Sequence, residues 1–181
     1  MTPTEQRSVC LILERRDCDH PWQTHEWVLT GISREIPGPA GWKLLDEAAG
    51  RKRYLSPPCR IELHRADAEA YAYSLQTPVP SLFAVLREDE TAGAGAVPYV
   101  VHLVSASPYE AQDYLDSSEE TVQRVALDAD LTAWLEDFVR RHHREQTFRK
   151  RKRGKARGEE HKFGQEPVAE LRKRGKVEDS G

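Results

Sequence analysis

Val97 to Ser117, VPYVVHLVSASPYEAQDYLDS, is the stretch that decides the fold. Val97 to Val104 is β-branched and aromatic over the length of a strand. Ser107-Pro108-Tyr109-Glu110 follows as a capping box, in which Ser107 accepts from the Glu110 N–H and the Glu110 side chain returns to the Ser107 N–H. Pro108 takes the first helical position, where its missing N–H costs nothing. The stretch therefore predicts strand, tight turn and helix. Ala111, Tyr114 and Leu115 share the helical face expected to press back on the sheet, while Glu110, Gln112 and Asp113 project away from it.

Downstream, Val122 to Leu127 has the length of a short edge-like strand, and Asp128 caps the strongest helical pattern in the chain. Leu131, Trp134, Leu135, Phe138, Val139 and His142 form one continuous stripe at helical spacing. Asp128 and Asp130 at its start and Arg140 to Arg144 at its end both favour the helix dipole. Upstream, Leu82 to Leu86 is apolar on both faces, and Thr91 to Ala96 is a flexible connection. Cys59, Ile61 and Leu63 alternate with Arg60, Glu62 and His64, as in a half-buried strand. Ala66 to Leu75 is alanine-rich enough for a helix, yet Tyr71, Tyr73 and Leu75 keep period two. A hairpin turning near Arg65-Ala66-Asp67 is the preferred reading.

The first third reads as a strand at Val9 to Leu13 ended by Glu14-Arg15-Arg16, a loop at Asp17 to His25, and a strand at Trp27 to Ile32. The Pro37-Gly38-Pro39 and Gly41 cluster marks a turn, and Trp42 to Leu45 and Arg53 to Leu55 are strand candidates around Gly50. Strands first and helices later predict an α+β fold. In it a mainly antiparallel sheet of short strands carries the Pro108 to Asp116 and Ala129 to Arg144 helices on one face.

With 181 residues and 38% hydrophobic content, the chain can bury one core. Residues 1–147 carry 15 Lys and Arg against 24 Asp and Glu, a net of −9, whereas residues 148–181 carry 12 against 6, a net of +6. This predicts a single globular domain over 1–147 and a basic, disordered tail over 148–181. The longest early apolar run, Val9 to Leu13, is too short for a signal or a membrane span, so a cytoplasmic protein is expected. Cys10, Cys18 and Cys59 are odd in number and lack metal-knuckle spacing, which predicts reduced thiols.

Chemistry-bearing residues are sparse. Cys18, His20 and His25 are close in sequence but fit no standard zinc spacing, and His142-His143 suits a helix C-terminus better than chelation. No metal and no cofactor is expected. Ser107 lacks the glycines of a nucleophile elbow, and Glu110 already places negative charge where the helix N-terminus would hold an anion. His64, beside Glu62 or Asp67, is the one candidate general base, although an exposed histidine near a carboxylate is commonplace. Trp22 and Trp27 flank a polar loop and suit a protein interface or a plug at the core edge. The Arg149 to Arg157 run, RKRKRGKAR, would attract phosphate backbones by charge, without the aromatics of a base-reading module.

Several of these segments together resemble an uncharacterised bacterial family, a domain of unknown function. They are Glu14-Arg15-Arg16, Pro21-Trp22-Gln23 with Trp27, Glu62-Leu63-His64-Arg65 to Tyr71, Val85-Leu86-Arg87, Ser107 to Asp116 and the Phe148 to Arg153 stretch. The resemblance covers about residues 7–153, and SPYEAQDYLD is its most specific part. Members of that family are typically encoded near molybdenum-dependent formate dehydrogenase genes. The resemblance thus implies a non-enzymatic accessory or maturation protein of a cytoplasmic formate dehydrogenase, with that enzyme or its maturation factors as partner. It supplies no catalytic residues. Trp22, Trp27, Tyr109, Glu110, Gln112 and Asp113 are the protein-binding candidates read from this chain itself. A nucleic-acid-binding regulator acting through the tail is the alternative, and a cofactor-maturation enzyme using His64 the third reading; no membrane partner is expected.

Overall fold

A computed structural model of the chain describes residues 4–35, 38, 41–117 and 120–143. The expected tail over 148–181, Arg144 and most of the Pro37-Gly38-Pro39 turn lie outside the described residues. Eight strands form one mostly antiparallel sheet: β1 (Glu5–His20), β2 (Gln23–Ser33), β3 (Lys43–Ala48), β4 (Arg51–Leu55), β5 (Cys59–Leu63), β6 (Ser81–Glu88), β7 (Tyr99–Ser105) and β8 (Thr121–Ala126). Three helices accompany them: α1 (Ala68–Gln76), α2 (Pro108–Ser117) and α3 (Ala129–His142). The architecture is α+β, as the order of strands and helices predicted.

The sheet is organised by the length of β1. Its first half, Glu5 to Val9, pairs with β5, and its second half pairs with β4 on the same edge and with β2 on the other. Ser56 joins β4 to β5 by accepting the Leu11 N–H on its hydroxyl at 2.8 Å and donating its own N–H to the Leu11 carbonyl. From β5 the sheet continues through β7 and β6 to β8. β8 then returns to β2 without a backbone ladder. Gln123 makes the junction instead: its side-chain oxygen accepts from the Leu29 N–H at 2.6 Å, and its amide donates to the Trp27 carbonyl at 2.8 Å. A primary amide carries the same donor and acceptor as a peptide group, so one side chain stands in for a strand pairing. The strands β1, β5, β7, β6, β8 and β2 thereby form a ring.

Val9, Leu11 and Leu13 project from β1 into the core with Ile61, Leu63, Leu82, Ala84 and Leu86. α3 closes this core with the predicted stripe: Leu131, Trp134, Leu135 and Phe138 are buried, and Asp128 accepts from the Leu131 N–H as the N-cap. Trp134 also donates its indole N–H to Glu5 at 2.7 Å and lies beneath the Arg7 guanidinium.

Four expectations are corrected. Ala68 to Gln76 is the helix α1 and not half of a hairpin, so a helix in the first half of the chain joins the two expected. Its Tyr71 is buried edge-on against Phe138 of α3, while Tyr73, two positions on, faces solvent. Asp17 to His25 is no loop but the end of a β hairpin, because Glu14-Arg15-Arg16 does not stop β1. Glu14 is only 5% exposed, held by Arg16 and, at 3.8 Å, by Arg51 of β4. Half of the capping box forms: the Glu110 N–H donates to Ser107 Oγ at 3.3 Å, but the Ser107 N–H is taken by Ser105 Oγ. On α2, Ala111 is buried as expected, whereas Leu115 is exposed.

Candidate functional site

The exposed candidate binding residues separate into three places. Trp22 sits at the tip of an arm. Past Arg16, the last β1 residue paired with β4, β1 and β2 continue as a two-stranded ribbon to the His20 and Gln23 pair, and Pro21-Trp22 makes the turn. The Asp17 N–H donates to the Gly50 carbonyl at 2.8 Å, fixing the base of the arm to the β3–β4 turn. Trp22 itself is 90% exposed. Around it, Cys18 bonds to the Gln23 carbonyl, His20 accepts the Trp22 N–H, and His25 faces Asp17 at 3.2 Å. Each of the three residues considered as a metal trio is thus engaged with its own neighbour. Among the described residues no three His, Cys, Asp or Glu side chains converge on a point.

Trp27 belongs to the core edge. It packs on Tyr54 and, edge-on, on Tyr99, against the buried cluster. The two tryptophans that flank Asp17 to His25 in sequence therefore have separate roles, anchor-like exposure for one and packing for the other.

Tyr109, on the first turn of α2, stacks on Tyr73 of α1 with ring centroids 6.0 Å apart, and both rings are more than half exposed. Beside them a cleft of about 310 Å³ is lined by Pro78, Val79, Phe83, Pro108 and Arg124. Gln112 and Asp113 are exposed on the same helix, with Gln112 donating to Asp116 one turn on. α2 packs on α1, β6, β7 and β8, none of which carries the arm tip. Trp22 and the α2 residues form two surfaces.

Glu110 lines a third place, the seam between β5 and β7. These strands are parallel and share a single paired position, Ile61 with Val104. Beside this pair lies a cleft of about 350 Å³ lined by Arg60, Glu62, His64, His102 and Glu110 together with Val101, Leu103 and Val104. β7 carries a bulge here: Val85 of β6 pairs with Leu103 and Leu86 with Val101, leaving His102 as the extra residue. Its ring rests edge-on against Tyr114. His64 Nε2 lies 3.8 Å from Glu62, its ring is one-fifth exposed, and its Nδ1 is buried without a hydrogen-bond partner. The His64 N–H donates to the Tyr71 hydroxyl, whose pKa burial pushes up to about 12.

Within the seam His64 and Glu62 lie 3.8 Å apart, the Asp67 N–H donates to the His64 carbonyl at 3.1 Å, and burial pushes the neighbouring Cys59 thiol up, which disfavours its thiolate. Arg60 shares the polar face that alternation gives Glu62 and His64, whereas His102 had no signal in the sequence, because the bulge that leaves it out is set by pairing with β6.

No helix among the described residues is long and apolar enough to cross a membrane. One protein-family model matches the chain, over residues 8–152, and is described as a protein of unknown function, DUF3305. No curated protein and no solved structure matches.

Proposed function

We propose, from the premise that the chain belongs to the DUF3305 family, that it is a non-enzymatic accessory protein that acts by binding another protein. The observation that carries this reading is Trp22, presented almost fully to solvent at the tip of a hydrogen-bonded arm anchored at its base. A large aromatic side chain exposed there gives a partner a low-entropy anchor. The Tyr73–Tyr109 pair offers a second apolar contact, flanked by Gln112 and Asp113 for specificity.

The resemblance to proteins encoded beside molybdenum-dependent formate dehydrogenases supports that enzyme, or its maturation factors, as the cytoplasmic partner. Deleting the gene in its host and measuring assembled, molybdenum-loaded formate dehydrogenase tests this. A reduced level restored by the wild-type gene but not by Trp22→Ser is expected. An unchanged level removes the accessory reading. The charge split between residues 1–147 and 148–181 favours a second reading, a nucleic-acid-binding regulator. Its signature is binding that falls steeply with salt.

A further inference from the structure

We propose that the seam between β5 and β7 is a binding site for an extended peptide segment of a partner protein, one carrying Lys or Arg at alternate positions. Three observations converge on it. β7 makes a full ladder with β6 on one edge, but on the other its ladder with β5 ends after one position, so the cleft is bordered by strand edges and not by side chains alone. A strand laid along such an edge forms main-chain hydrogen bonds whatever its sequence, and pockets for alternate side chains supply the selectivity.

The cleft wall supplies the charge. Glu62 and Glu110 line it, Glu62 meets Arg60 and His64 only at 4.0 and 3.8 Å, and no cation pairs with Glu110 among the described residues. Two carboxylates against one guanidinium disfavour a phosphate or other anion and favour an ammonium or guanidinium group. The −9 net charge of residues 1–147 attracts the same partner at longer range. The bulge at His102 is the third observation, since it breaks the regular register of β7 at a residue that lines the cleft. At about 350 Å³ the space suits a few residues of extended chain.

The test uses the full chain and three pentapeptide pools of pattern Val-X-Val-X-Val, in which X is Lys or Arg, Asp or Glu, or Ser or Asn. Amide chemical shifts locate binding and titrations rank the pools. The basic pool should perturb the amides of Cys59, Arg60 and Val101 to Leu103, and bind at least about tenfold more tightly than the acidic pool, as expected for a cation gaining two carboxylates. Glu62→Gln combined with Glu110→Gln should bring the basic pool down to the neutral one. N-methylation of the basic peptides at alternate residues should remove binding by deleting main-chain donors. Trp22→Ser should leave the titration unchanged, so this site and the arm-tip reading fail separately. Silent seam amides with the basic pool, equal binding by the acidic pool, undiminished binding after N-methylation, or loss of binding in Trp22→Ser would each overturn the proposal.

Discussion

Replacing Gln123 with alanine tests whether one side chain closes the strand ring. The substitution strands two partly buried backbone groups of β2, the Leu29 N–H and the Trp27 carbonyl, which bond to the Gln123 amide at 2.6 and 2.8 Å. An unsatisfied buried group costs about 1–3 kcal/mol. Two at a strand edge that water can partly reach should therefore cost roughly 2–4 kcal/mol. For a chain of this size each kcal/mol lowers Tm by about 2–4 °C, so a drop of roughly 5–15 °C is expected. Gln123→Leu keeps most of the side-chain volume while removing both bonds, and should be nearly as destabilising as alanine. Arg124→Ala, at the exposed neighbouring position, should change stability by no more than about 0.5 kcal/mol. Denaturant melts of the three variants, followed by far-UV circular dichroism, decide the matter. If Gln123→Leu is as stable as wild type, or Gln123→Ala matches Arg124→Ala, the amide is a spacer and the ring is held by packing alone.

Two further predictions concern the core and its response to base. Trp134→Ala should cost about 3–5 kcal/mol and Ser107→Ala only about 1 kcal/mol, because the first opens a cavity under α3 and the second removes one N-cap bond; chemical denaturation ranks them. Tyr71 should be the last tyrosine to ionise. Its pKa is raised to about 12 from an ordinary 10, so its contribution to stability is complete below pH 10 and is lost as the pH climbs to 12. Absorbance at the phenolate band in wild type and Tyr71→Phe checks this, and a wild-type difference spectrum complete by pH 11 refutes it.

The parts of the fold legible in the sequence are those determined locally. The α3 stripe with Asp128 ahead of it needs no information from elsewhere, and its buried face is the one its spacing gives. Tyr71 and Tyr73 show the opposite case. Two positions apart, they fit a strand face or opposite sides of a helix, and the choice is made by Phe138, a distant residue against which only Tyr71 packs. Glu14-Arg15-Arg16 looks like a strand end because three charges in a row suggest solvent. What lets β1 run through is Arg51 across the sheet together with Arg16 on the same face, which make Glu14 a buried but paired carboxylate. The seam was half legible. Alternation placed Glu62 and His64 on one side of β5, but nothing in VVHLV announces that His102 is the residue β6 skips.

The Gln123 bridge also bears on how the chain emerges from the ribosome. The N-terminal hairpin can pair as soon as β2 is made, yet the edge of β2 at Trp27 and Leu29 stays bare until β8 arrives, 94 positions after Leu29. Until then the nascent protein displays an open strand edge beside an apolar core, the feature that templates unwanted pairing between chains. Long-range closure is also the slow step for a ring of this kind. Chains stalled or cut before Thr121 should therefore be far more prone to aggregate than the finished protein, and co-translational chaperones should bind them until β8 has been synthesised.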